Sequence, residues 1–166
     1  MLVTILCGFI MMSGLFLMLL AGVGYIQNKK FFGSAPKEVR DAVPETKPER
    51  FRGQHTLGWI MAAVSVTMMI AAPVIGAVNG VQNDFSFGQF FIRSYVIWLM
   101  TKAFDIVFFD WVLLCNAGFN FFPHFYPETA PVLGHYLFGY NWKTHASHII
   151  FGAVVSAVAA YICTLF

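Results

Sequence analysis

Four long apolar segments constrain this chain more than any other feature of its sequence. Segments 2–26, 56–78 and 149–166 contain no charged residue, whereas 90–115 contains four. About 20 apolar residues span the ~30 Å hydrocarbon layer as a helix, and backbone groups in lipid must find hydrogen bonds within their own segment. The pattern predicts an all-α polytopic membrane protein, a single-domain bundle of four transmembrane helices over 2–26, 56–78, 90–115 and 146–166.

The composition agrees with lipid as the main solvent and partner of the chain. Hydrophobic residues make up 58% and charged residues 11%, compared with about a quarter charged in soluble domains. No basic residue precedes the apolar run 2–26, which is longer than a signal-peptide core, so we interpret it as a retained first span. The sequence has no P-loop and no GxGxxG motif, and its basic loop is mixed with acidic residues. Neither a nucleotide nor a nucleic acid is therefore predicted as a partner.

The basic residues predict the orientation of the chain in the membrane. Loop 27–55 holds seven of the ten Lys and Arg residues, and the connection 79–89 holds none. By the positive-inside rule, loops 27–55 and 116–145 are cytoplasmic and both termini lie outside. Loop 27–55 also contains acidic residues and prolines, and we expect a solvated linker with one short helix near 36–43.

The second cytoplasmic loop is rich in aromatic residues and proline. Segment 116–145 contains nine aromatic residues, together with Pro123, Pro127 and Pro131. Proline interrupts long helices, and aromatic rings with polar tips favour the headgroup region. We expect an interfacial loop along the membrane surface, with a short helix near 129–138.

Small residues in the last span indicate close helix packing. Gly152, Ser156 and Ala160 recur every four residues and form one stripe. Such stripes let helices approach closely in lipid. The stripe predicts packing within the bundle; contact with a second copy of the chain, or with another membrane subunit, is the alternative.

The third span carries charges that are expensive in a membrane. Its charged residues are Arg93, Lys102, Asp105 and Asp110, and a charge at the middle of a span costs ~2.5–3.5 kcal/mol. At ~100° per residue, Lys102 and Asp105 can pair one turn apart, and Asp110 extends the same polar face. Arg93 points roughly the opposite way, near the outer end, where its side chain can snorkel. We predict a polar centre that binds a substrate or ion; the alternative is an ion pair that only orients the helix.

Histidines near the predicted cytoplasmic face suggest a second type of site. His145 and His148 share one helix face. His55 begins the second span and Asp110 ends the third at a similar depth, so these four are candidate metal ligands. An enzyme would instead use Asp110, Glu128, His145 and His148 as acid and base groups. A haem would need His55 and a fourth-span histidine as axial ligands. The sequence has no HExxH motif, so no cofactor is predicted, a metal stays open and haem is disfavoured.

One stretch resembles known membrane proteins. The sequence FDIVFFDW (Phe104–Trp111) precedes a proline- and aromatic-rich loop and a short final span. This arrangement, over the C-terminal third, resembles small uncharacterised four-span integral membrane proteins of prokaryotes. The resemblance implies a bacterial or archaeal cytoplasmic membrane and a four-span plan, but no activity.

These patterns lead to one main functional hypothesis. We expect a small membrane protein that binds or translocates a small solute or ion, or that serves as a subunit of a membrane complex. The alternative is a membrane-embedded enzyme that acts on a lipid or another apolar substrate at the cytoplasmic face. The sequence does not decide whether the chain is an enzyme.

Overall fold

The computed structural model describes residues 1–33, 35–115, 119–133 and 139–166. The residues within these ranges form helices and no named strand; the one isolated β-bridge joins Asn28 and Thr46. The prediction of an all-α protein is confirmed.

Six α-helices lie within the described part of the chain. They are α1 (Leu2–Leu19), α2 (Lys37–Ala42), α3 (Gln54–Val81), α4 (Phe87–Phe104), α5 (Phe121–Phe125) and α6 (Trp142–Cys163). Two π-helical segments continue α1 and α4, namely Leu20–Ile26 and Asp105–Cys115. Short 3-10 turns cover Lys29–Phe32 and Pro127–Thr129.

Among the described residues, three helices are long and apolar enough to cross a membrane. They are Leu2–Ile26, Gln54–Val81 and Trp142–Cys163. These helices match three of the four predicted spans. The remaining one, 90–115, lies within a continuous helical stretch over 87–115 that contains all four charged residues named above.

The chain divides into two compact units, and unit 1 comprises 1–15, 67–106 and 141–166. Glycines bring its helices close to α4: Gly8 of α1 faces the side chain of Met100, and Gly152 of α6 faces the indole of Trp98. The Trp98 Nε1–H donates to the carbonyl of His148 at 3.0 Å. A side chain at either glycine would occupy the space of its neighbour, so these positions set the approach of the helices.

The small-residue stripe of the last span lies inside unit 1. Gly152, Ser156 and Ala160 are all buried. The stripe therefore packs against the chain's own residues, and contact with a second copy or with another membrane subunit stays a prediction.

Unit 2 comprises 16–66 and 107–140, and its core contradicts the expectation of a solvated linker at 27–55. The predicted short helix is present as α2, but Phe32, Val39 and Val43 of this loop are almost completely buried. They pack in one cluster with Leu113 and Tyr126. The many charged residues of the loop made its apolar face hard to recognise in the sequence. Val39 and Val43 are four residues apart and lie on the same side of a helical turn.

The described part of the aromatic loop packs into the same core. The ring of Phe32 lies 5.7 Å from Phe122 and 5.0 Å from Tyr126, centroid to centroid. The short helix is α5, earlier in the chain than the helix expected near 129–138. Of that expected helix, 130–133 forms a turn and 134–138 lies outside the described residues.

Candidate functional site

Lys102 and Asp105 form the ion pair that their spacing predicted. Lys102 Nζ lies 2.5 Å from Asp105 Oδ2, and the two side chains are 12% and 26% exposed. The pair closes within one turn at the end of α4. Each charge therefore has a counter-charge on its own helix, which lowers the penalty of shielding both from water.

Asp110 lies in a segment whose helix geometry differs from the one assumed for the sequence prediction, and its place on the polar face of Lys102 and Asp105 stays a prediction. Asp105–Cys115 is π-helical, and its wider i→i+5 turns rotate less per residue than the 100° used above. Asp110 belongs to unit 2, where it is buried, and the Tyr140 hydroxyl donates to its Oδ1 at 3.4 Å. The structure thus pairs Lys102 with Asp105 and gives Asp110 a separate polar partner.

Arg93 is more buried than its position in the sequence suggested, because its side chain packs against a neighbouring helix. The residue is 7% exposed. Its Nη1 donates to the carbonyl of Gly76 at 2.7 Å and to Asn79 Oδ1 at 3.0 Å, both on α3. The guanidinium carbon lies 4.2 Å from the ring centroid of Phe85. Oxygens from a neighbouring helix hold the group inside unit 1.

The guanidinium of Arg93 lacks a carboxylate partner within the described ranges. No ion pair there includes it, and its Nε is buried without a hydrogen-bond partner. Two cavities border the residue, one of about 200 Å³ and one of about 220 Å³. Arg93 is therefore a buried cation next to open space.

The candidate metal ligands fall in different units. His145 and His148 belong to unit 1, whereas His55 and Asp110 belong to unit 2. The backbone N–H of His55 donates to Glu49 Oε1 at 2.9 Å, and its Nδ1 lies 3.8 Å from the same oxygen. Across the described ranges, no group of three or more His, Cys, Asp or Glu side chains is arranged to hold a metal ion.

Glu128, the carboxylate of the enzyme alternative, is bound by Lys47. Lys47 Nζ lies 2.8 Å and 3.0 Å from the two carboxylate oxygens of Glu128, and it donates to the carbonyl of Phe125 at 3.1 Å. It also lies 4.6 Å from the ring centroid of Tyr126. Burial alone would raise the pKa of Glu128, but the hydrogen bond and charge of Lys47 lower the pKa below its usual value. The ion pair with Lys47 therefore favours the ionised form of this carboxylate.

Sequence reasoning missed a polar cluster at the end of the first long helix. Arg50 Nη2 donates to the carbonyl of Gly24 at 2.7 Å. Gln54 Nε2 donates at 2.9 Å both to the carbonyl of Tyr25 and to Gln27 Oε1. These side chains satisfy carbonyls that a helix end otherwise leaves unpaired. The sequence signal for this cluster was the position of two glutamines. Gln27 directly follows the apolar segment 2–26, and Gln54 comes just before the segment 56–78.

Comparison with known proteins finds no matching family model, no similar curated protein and no similar solved structure. The resemblance of Phe104–Trp111 to prokaryotic four-span proteins stays a prediction. The charges and contacts described above are the basis for assigning a function.

Proposed function

We propose that the chain is a four-span protein of a prokaryotic cytoplasmic membrane that binds or translocates a small solute or ion at the charged residues of helix 87–115. The observation that carries the proposal is the shielding of Arg93 and Lys102 on α4, inside a bundle of apolar helices. Charged side chains are costly within a membrane, and those that persist there typically serve substrate or ion pathways.

A contact between two loops supports the fourth crossing. Loop 27–55 follows the first apolar helix, and the aromatic loop follows helix 87–115, yet Lys47 and Glu128 of these loops bind each other. If α3 leads the chain across the membrane, another crossing must bring it back to the same face. Helix 87–115 is about 40 Å long at 1.5 Å per residue, which suffices to cross.

The basic residues of loop 27–55 support a cytoplasmic location for both loops. Single cysteines at the exposed positions Asn83, Lys37 and Ala130, in a variant without native cysteines, test this in intact cells with a membrane-impermeant maleimide. We expect Asn83→Cys to react from outside, and Lys37→Cys and Ala130→Cys only after permeabilisation. If Lys37→Cys and Ala130→Cys reacted from opposite faces, the fourth crossing would be wrong.

Solute binding is tested on the purified protein in detergent by thermal unfolding. The probes are sodium, calcium, chloride, inorganic phosphate and glycine. A ligand at 100 times its Kd stabilises by about 2.7 kcal/mol, so we expect at least one probe to raise the unfolding temperature. The response should disappear in Lys102→Leu/Asp105→Leu or in Arg93→Gln. No response to any probe, or a response that neither variant changes, would refute the proposed function.

The Lys102–Asp105 variants also separate a structural role from binding. Each single substitution leaves one shielded charge unpaired and should destabilise by about 3 kcal/mol, whereas the double leucine variant should be close to wild type in stability. A stable double variant that no longer responds to a probe would assign the pair to binding.

A further inference from the structure

We infer that Arg93 forms the binding site of a small oxyanion in unit 1. The inference rests on the proposed function and names the class of solute that helix 87–115 would bind. A buried cation is unfavourable unless an opposite charge or several hydrogen bonds compensate it. The surroundings of Arg93 provide only part of that compensation.

The charges of unit 1 leave Arg93 without a counter-ion. The acidic residues of this unit are Asp84 and Asp105. Asp105 binds Lys102, and Asp84 is exposed and takes part in no ion pair within the described ranges. Both oxygens that do contact the guanidinium, from Gly76 and Asn79, are neutral. The buried charge of Arg93 therefore has no ion-pair partner within the described ranges, unlike the charge of Lys102.

The unused edge of the guanidinium has the geometry of an oxyanion site. Both described hydrogen bonds of Arg93 use Nη1, and Nε is buried without a partner. The Nε–H and the neighbouring Nη2–H point in the same direction along one edge of the group. Arginine binds two oxygens of a carboxylate or phosphate through such paired donors. The ring of Phe85 covers one face of the guanidinium and holds its plane.

The space beside this residue is large enough for such an anion. Arg93 borders a cavity of about 200 Å³ with Ser94 and another of about 220 Å³ with Thr4 and Gln89. A water molecule takes up about 30 Å³ in the liquid, so either cavity exceeds the volume of an oxyanion with five heavy atoms. The hydroxyl and amide groups at the cavity walls can donate further hydrogen bonds.

The oxyanion could come from two sources with the same chemistry, a free phosphate or the headgroup phosphate of a lipid. We distinguish them with two probes of the purified protein in dodecyl maltoside. Inorganic phosphate is titrated calorimetrically at constant ionic strength, and phosphatidylglycerol is titrated in mixed micelles with phosphatidylcholine as the comparison lipid.

Arg93→Lys keeps the charge but loses the paired donors, and we expect it to weaken binding at least tenfold. Because Arg93 also joins α3 to α4, a second variant leaves it in place. Gln89 is four residues before Arg93, and its side chain pairs with Ser86 in a capping box. Gln89→Glu preserves that chemistry, since glutamate serves equally in a capping box, and adds a carboxylate beside Arg93 that competes with the anion.

We expect Gln89→Glu to weaken binding at least tenfold with no loss of thermal stability. Gln82→Glu, the same change at an exposed position, is the matched control and should bind as wild type. Weakened phosphate binding in Arg93→Lys and Gln89→Glu assigns the site to a free oxyanion. The same pattern with phosphatidylglycerol alone assigns it to a lipid headgroup.

The anion site is wrong if neither probe binds, or if both variants bind as tightly as wild type. The proposed function would survive that result if another probe, such as sodium, still depended on Lys102 and Asp105. The two failures are therefore distinguishable.

Discussion

Lys47 joins the basic loop 27–55 to the aromatic loop, and its replacement by methionine removes three contacts at once. Methionine retains an apolar stem of similar length but loses the ammonium group. The lost contacts are the ion pair with Glu128, the hydrogen bond to the carbonyl of Phe125 and the cation–π contact with Tyr126. All three lie within unit 2, so the substitution tests how firmly the two loops are docked.

The magnitude follows from the exposure of each contact. The two side chains of the ion pair are 21% and 36% exposed, so the pair is worth about 0.5 kcal/mol. The hydrogen bond to the carbonyl contributes about 1 kcal/mol, and the cation–π contact about 0.5 kcal/mol. Their loss should make opening of the docked loop easier by about 2 kcal/mol, which is about 30-fold in the opening equilibrium.

Trypsin measures this opening directly, because loop 27–55 contains seven Lys and Arg residues. Cleavage of a docked segment follows the population of its open form when opening and closing are fast. We expect Lys47→Met to be cut about 30 times faster than wild type in detergent, and Glu128→Gln about twofold faster. Lys37→Met is the matched control, because it also removes one cleavage site but at an exposed residue. Equal cleavage rates in Lys47→Met and Lys37→Met would refute the role of Lys47 in docking.

Two further predictions concern packing and pH. Gly152→Ala places a methyl group against the indole of Trp98 and should destabilise the fold by about 1–3 kcal/mol. Gly88→Ala has open space around it and should stabilise the fold slightly. Unfolding temperatures in detergent measure both effects, and equal shifts would contradict the close approach of α6 and α4. Backbone hydrogen bonds from His55 and Gly53 lower the pKa of Glu49, and the pKa of Glu128 is also lowered. Both carboxylates therefore stabilise the folded state above about pH 4.3, the usual pKa of glutamate. This stabilisation is lost as the pH falls through their pKa values in the folded protein. The unfolding temperature should therefore drop below about pH 4, and Glu49→Gln should make the drop shallower; an unchanged acid limb in that variant would contradict the assignment.

The positions of the long helices could be predicted from the sequence, because each long apolar segment forms a helix. The expected span 2–26 coincides with the helix Leu2–Ile26. The expected span 56–78 lies inside Gln54–Val81, which continues into polar residues at both ends. A helix need not end where its apolar residues end, and boundaries drawn from hydropathy alone therefore fall short.

The partner of a charged side chain could be predicted only where it lies within one helical turn in the sequence. Lys102 and Asp105 are three residues apart, so their pairing follows from helix geometry. Gly76 and Asn79, which bind Arg93, come from another helix, and no sequence spacing relates them to it. The sequence also contained no sign that Asp105–Cys115 is π-helical, since nothing in its composition distinguishes a π-helix from an α-helix.

The cluster of Arg50, Gln54 and Gln27 has a consequence for the order of assembly during synthesis. Both donors to the end of the first long helix are made within 30 residues of the carbonyls that they bind. All groups of this cluster lie within residues 24–54, so they are part of the chain before helix 87–115 is added to it. The pairing of the Gly24 and Tyr25 carbonyls therefore depends on no residue after 54.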